Sequence, residues 1–440
     1  MAIRSQTLSF KLVAAALAFL AVFATLRAIG GMGGETTLPA VDADVRTGLL
    51  PGATTDQRIE ALQGELRGWQ SDAEGYADLG VEYLQKVRET GDPSFYPRAE
   101  GVLRKALRID PENFSATSGL GSLALARHDF AAGLALGERA RRINRSVARN
   151  YGVIADAQIE LGRYAAAERT LQRWVDLEPD LSSYARVSYF RELHGDLPGA
   201  LAAMRLAVSS GGDVPENFSY VQTLVGTLQL DSGNYAAAGN AYRTVLARDP
   251  RYPAANAGLS RIEAARGEFD RAIARYRGVV ATIPLPEYVV GLGETEQAAG
   301  RSTAAQRDYA LVGAEIRLFR ANGVNTDVDL ALFEANHGSP TRAVELARRA
   351  WGSAPSVRSA DALSWALSQA GRNAAALRAS RAAMRLGSRD PSFLYHAGLV
   401  AARAGRTERA RALLSTLVAQ SPRFNPLYGP RARHALEGLR

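Results

Sequence analysis

Ser219 to Pro250 reads SYVQTLVGTLQLDSGNYAAAGNAYRTVLARDP. Val225-Gly226 lies in a run of apolar and small residues at helical spacing, and Gly233-Asn234-Tyr235 interrupts it. Ala238 and Tyr242, one helical turn apart, carry a second run that Pro250 stops. Each residue has a physical task. A glycine admits the positive φ that ends one helix and begins a turn. An alanine lets the second helix lie close to the first, and a tyrosine fills the gap to a neighbouring unit. Proline cannot continue a helix. One such pair buries too little surface to stand alone, so further copies are expected.

The copies are there. The glycine recurs as Gly162, Gly195, Gly233, Gly267, Gly300, Gly338, Gly371 and Gly405, at spacings of 33 to 38 residues. Five residues after each comes Ala167, Ala200, Ala238, Ala272, Ala305, Ala343, Ala376 or Ala410. A larger side chain follows four residues on in most units: Leu171, Met204, Tyr242, Tyr276, Tyr309 and Leu414. Pro111, Pro179, Pro250, Pro284, Pro355 and Pro422 close units. Ten units begin near residues 73, 114, 148, 181, 219, 253, 286, 324, 357 and 391.

This pattern resembles the tetratricopeptide repeat. Leu79-Gly80, Leu120-Gly121, Leu292-Gly293 and Ala397-Gly398 supply the family's paired first-helix positions in other units. The resemblance spans residues 73–422 and implies an all-α chain, a right-handed superhelical solenoid of antiparallel helix pairs. It further implies that the first helices line a concave groove where protein ligands lie. Three units depart from the pattern. Unit 1 has an insertion around Thr90 to Tyr96, and unit 8 has Pro340 in its turn and Ala347 at the bulky position. Unit 2 has Gly133 and Gly137 for the alanine and the bulky residue, so looser packing is expected there.

An open solenoid exposes core at both ends and needs caps. Ile59, Leu62, Leu66 and Trp69 share one helical face, which predicts a capping helix over residues 56–70. Residues 423–440 are expected to cap the other end, with a helix from Ala432 to Leu439. At the N-terminus, Arg4 and Lys11 precede the uncharged apolar run Leu12 to Leu26. Residues 1–29 therefore read as an export signal or an N-terminal membrane anchor, N-in and C-out. Gly30 to Thr55, rich in Gly, Pro, Thr and Asp, reads as a flexible linker. The bulk of the chain is expected outside the cytoplasm, released or anchored.

The chain has no cysteine, which removes disulfides and thiolate chemistry. His128, His194, His337, His396 and His434 are scattered without metal-ligand spacing, and His128, His194 and His337 fall at unit turns. No phosphate-binding loop and no nucleophile elbow occur, so no catalytic residue, metal or cofactor is assigned. The expectation is a scaffold or adaptor, not an enzyme, with protein partners and neither nucleic acid nor a small-molecule substrate.

Two surfaces are candidates for the partner. The groove-facing positions are Arg149, Asp156, Arg186, Tyr189, Tyr220, Arg261, Arg358, Asp361, Trp365, Tyr395 and His396. Trp365 with Tyr395 forms a pair that either anchors a ligand or packs between adjacent helices. The second surface is electrostatic. The net charge is +8, yet residues 340–440 alone hold 17 Arg, no Lys and 5 acidic residues. Arg348, Arg349, Arg378, Arg381, Arg385, Arg409 and Arg411 lie on second helices, towards the convex side. They form either a solvated face or a site for a polyanion or envelope polymer.

Overall fold

The computed structural model describes residues 53–211 and 215–439. The expected export segment, and the expected linker up to residue 52, lie outside the described residues. The described chain is all helical, with 22 helices. Ten antiparallel pairs run from Ala73–Thr90 with Phe95–Ile109 (unit 1) to Pro391–Arg403 with Thr407–Gln420 (unit 10). Consecutive helices pack closely against one another, with the exception of Ser302–Ala321 and Asp327–His337 at the junction of units 7 and 8. Thr55–Gly68 closes one end and Tyr428–Glu437 the other. The Thr54 and Gln57 side chains cap the former's N-terminus reciprocally. Units 5 and 8 begin at Pro215 and Asp327, each a few residues from the expected start.

The repeat residues do what their spacing requires. The ring of Tyr242 lies where a Cβ at either Gly226 or Gly258 would intrude, so it wedges between the first helices of units 5 and 6. Unit 2 corrects the expectation of loose packing. Gly133 and Gly137 are buried, and a Cβ at either would crowd Leu125 or Ile154. Missing methyl groups there bring the helices closer. One turn also departs from the motif. Gly338 has φ −134°, whereas His128 holds the left-handed turn of unit 2 at φ 59°.

The superhelix is tight enough that its second turn rests on its first. Arg127 Nε in the turn of unit 2 donates to the Asn322 carbonyl (3.1 Å) between units 7 and 8. The Asn325 amide donates back to the Arg127 carbonyl (2.9 Å), and His128 Nδ1 donates to that of Asn325 (2.6 Å). In unit 3, Tyr164 Oη accepts from the Val357 amide (2.8 Å) between units 8 and 9. Gly195 of unit 4 lies against the Gly387 backbone between units 9 and 10. Gln420 Nε2, at the end of unit 10, donates to the Asp231 carbonyl of unit 5 (2.9 Å). Partners across this seam are separated by 186 to 198 residues. Each turn thus meets the link that follows the unit five places further on.

One buried carboxyl has no ionic reason to be where it is. Glu315, on the second helix of unit 7 (Ser302–Ala321), is 3% exposed, and its Oε2 has no hydrogen-bond partner. Burial alone pushes its pKa up from 4.5 to about 9. The folded state holds this proton more tightly than the unfolded state does. Stability is therefore unaffected below pH 4.5 and falls as pH rises towards 9. Glu315→Gln removes that loss. It is expected to be more stable than the parent by about 3 kcal/mol at pH 7 and equal to it near pH 4. Urea unfolding at the two pH values measures this, and an equal difference at both would refute it.

Candidate functional site

Because the two turns touch, the concave side is a chamber rather than an open trough. The cavity measures about 330 Å³. Tyr189 and Arg261 reach it from the first turn, and Glu294, Arg358 and His396 from the second. Phe424, Asn425 and Tyr428 of the C-terminal cap line it as well, and it stays partly open to solvent. Its walls carry Glu192, Asp231, Glu294, Asp361 and Asp390 against only Arg261 and Arg358. The chamber is a polar, predominantly acidic space with aromatic sides.

Six of the eleven groove candidates line it: Tyr189, Arg261, Arg358, Asp361, Tyr395 and His396. Arg261 Nη2 lies 2.9 Å from Asp231 Oδ1. His396 Nδ1 lies 2.8 Å from Asp361 Oδ2. Burial raises the pKa of Asp361, and His396 opposes that shift. Burial likewise lifts Tyr189 well above the ordinary phenol value, with nearby Glu160 adding to it. For Arg358, burial pulls downward, but Tyr189, Glu160 and Asp329 more than reverse it, and the guanidinium stays charged. Arg358 belongs to unit 9, and Tyr189 and Glu160 to units 4 and 3, so this contact ties the two turns together inside the chamber.

The other five candidates sit elsewhere. Asp156 and Arg186 form an ion pair inside the wall, 1% and 2% exposed. Arg149 lies over the Phe114 ring (5.7 Å), and Tyr220 packs into the apolar cluster of units 4 and 5. Trp365 is 1% exposed and Tyr395 2%. The Trp365 indole donates to Asn336 Oδ1 (2.7 Å) and stacks on His396 (4.4 Å). Tyr395 stacks on Tyr428 of the cap (5.4 Å). Both rings are almost wholly buried between helices, with Tyr395 also bordering the chamber.

Among the basic candidates, Arg349 pairs with Asp327 (2.9 Å) and Arg411 with Glu408 (2.6 Å). Arg385 lies over Tyr164 across the seam (5.1 Å). Arg348, Arg378, Arg381 and Arg409 are exposed. Among the described residues no group of three or more His, Asp or Glu side chains is placed to hold a metal ion. No described helix is long and apolar enough to cross a membrane.

Family models described as tetratricopeptide repeat match residues 92–148, 148–181, 229–306 and 362–423, together a little over half of the chain. The chain is a tetratricopeptide-repeat array. Proteins of this kind gather protein partners. No curated protein matches the chain. Among solved structures, "Human IFIT1 dimer with PPP-AAAA" is similar at TM-score 0.47 and 16% identity, over 76% of this chain and 78% of that one. "Crystal structure of APC/C hetero-tetramer Cut9-Hcn1" gives 0.33 and 14%, over 91% and 95%. "YrrB: a TPR protein with an unusual peptide-binding site" gives 0.29 and 19%, over 45% and 96%. At these values nothing that those proteins bind transfers to the present array.

Sequence reasoning missed the chamber residues that come from links and cap: Ser388, Asp390, Asn425 and Tyr428. They stand outside the helical period, so no repeat signal marks them.

Proposed function

We propose that this repeat array is an extracytoplasmic protein-binding scaffold that takes a short segment of its partner into the central chamber. The carrying observation is the chamber itself. A 330 Å³ space between two touching turns admits a few side chains of an extended segment, not a folded domain. The basic N-terminus with its apolar run, Arg4 to Leu26, supports export.

The test is capture from the organism's own envelope extract, with the full chain tagged at its C-terminus. A defined partner is expected at both low and high salt, and Arg261→Ala, which alters the chamber wall, is expected to weaken its capture at least tenfold. Protease added to spheroplasts should digest the array from outside. Capture that disappears in high salt regardless of Arg261 would instead favour the exposed arginines of units 8 to 10 and a polyanionic ligand. An array protected until the spheroplasts are lysed would refute export.

A further inference from the structure

We infer that the seam between the two superhelical turns is a latch, which releases at its unit 5 end and opens the chamber while the array stays folded. The inference bears on how a segment reaches the chamber, but it is read on the free chain and does not need a partner.

The two ends of the seam differ in chemistry. At the first end, one apolar cluster joins Leu103 and Leu120 of units 1 and 2 to Phe319 and Leu330 of units 7 and 8. A second cluster joins Tyr164 and Leu193 of units 3 and 4 to Val357, Leu386 and Phe393 of the upper turn. At the other end this changes. The apolar clusters of units 4 to 7 join only neighbouring units and contain no residue of units 8 to 10. Unit 5 is held to the upper turn by polar contacts. Gln420 donates to the Asp231 carbonyl, and Tyr235 Oη lies 3.5 Å from Ser421 Oγ. Further along, Asn425 Nδ2 donates to Glu294 Oε2 across the chamber (2.7 Å). Water replaces such hydrogen bonds at small net cost, whereas separating the apolar clusters exposes hydrocarbon. The seam therefore has a hinge at units 1 to 4 and a latch at unit 5.

The turn glycines mark how far the seam extends. Gly162, Gly195 and Gly233 each lie against an upper-turn carbonyl, of Pro355, Gly387 and Gln420, with no room for a Cβ. Gly267, Gly300, Gly371 and Gly405 hold the same left-handed turn with nothing within 4 Å of where a Cβ would be. The motif is one, but only the first three glycines are also seam contacts.

This supplies a matched pair of variants. Gly233 has φ +80° and Gly267 φ +81°, in adjacent units. Alanine strains both turns alike, but only at Gly233 does it strike the seam. In the full chain, Gly233→Ala is expected to enlarge the radius of gyration in small-angle scattering with helix content unchanged. Amide exchange from Ser421 to Tyr428 should speed up about tenfold or more. Gly267→Ala should match the parent in both. If Gly233→Ala cannot be folded, Gln420→Ala cuts the same latch without backbone strain and should give the same readings. The inference is overturned if the latch variants exchange like Gly267→Ala. It is equally overturned if exchange rises throughout units 5 to 10, because seam and array would then open as one.

Discussion

Arg186→Met is expected to destabilise the array by about 3–5 kcal/mol, and Asp156→Leu by a similar amount. The two residues stand on the first helices of units 3 and 4, 30 positions apart. Arg186 Nε lies 3.0 Å from Asp156 Oδ2, and its guanidinium lies over the Trp174 ring at 4.9 Å. Neither side chain reaches solvent. Removing one leaves the other a buried charge without its counterion, and that desolvation is the source of the loss. Pairing Arg186→Met with Asp156→Leu removes both charges and should recover most of the stability, since such a pair gains little over apolar replacements. Urea unfolding of the parent, both single variants and the double variant closes the cycle. Single losses below about 1 kcal/mol would mean that water reaches the pair.

The second large effect concerns the aromatic pair. Trp365→Ala should cost about 3–5 kcal/mol, the usual loss when a large core ring is truncated and the site collapses only in part. The void would open beside His396 and Tyr395 and leave Asn336 without its indole donor. Because stability in a repeat array is local and nearest-neighbour in character, faster amide exchange should concentrate in units 8 to 10 and spare units 3 to 6. An exposed anchor would behave differently: its loss would weaken binding and leave exchange unchanged.

The repeat architecture was legible because its signal is periodic. Gly233, Ala238, Tyr242 and Pro250 each meet a local steric demand, and the demand recurs unit by unit. The closure of the superhelix was not legible. It depends on a small rotation per unit, summed over five units, and no single unit displays it. Residues that meet across the seam, such as Tyr164 and Val357, share no spacing rule. The same closure decides what the groove positions do. Trp365 and Tyr395 stand on groove-lining helices as the family pattern implies, yet the cap brings Phe424 and Tyr428 against Tyr395. One local clue existed. His128 occupies a turn that glycine holds in other units, and a left-handed non-glycine residue is costly enough to ask what holds it there. The answer is the Asn325 carbonyl on the upper turn.

The seam also makes repeat number a matter of register. An open solenoid can gain or lose a unit anywhere, since each unit consults only its neighbours. Here the turn of unit 5 must arrive opposite Gln420, and that of unit 3 opposite Val357. Deleting unit 6 would shift every later link by one place, so that Gly195 would meet the link that Gly233 now meets and Gly233 would face the chain beyond it. Whole-unit indels should therefore be tolerated only with a compensating change elsewhere in the loop of units that the seam encloses. In this array the unit of inheritance is the full superhelical turn, not the single helix pair.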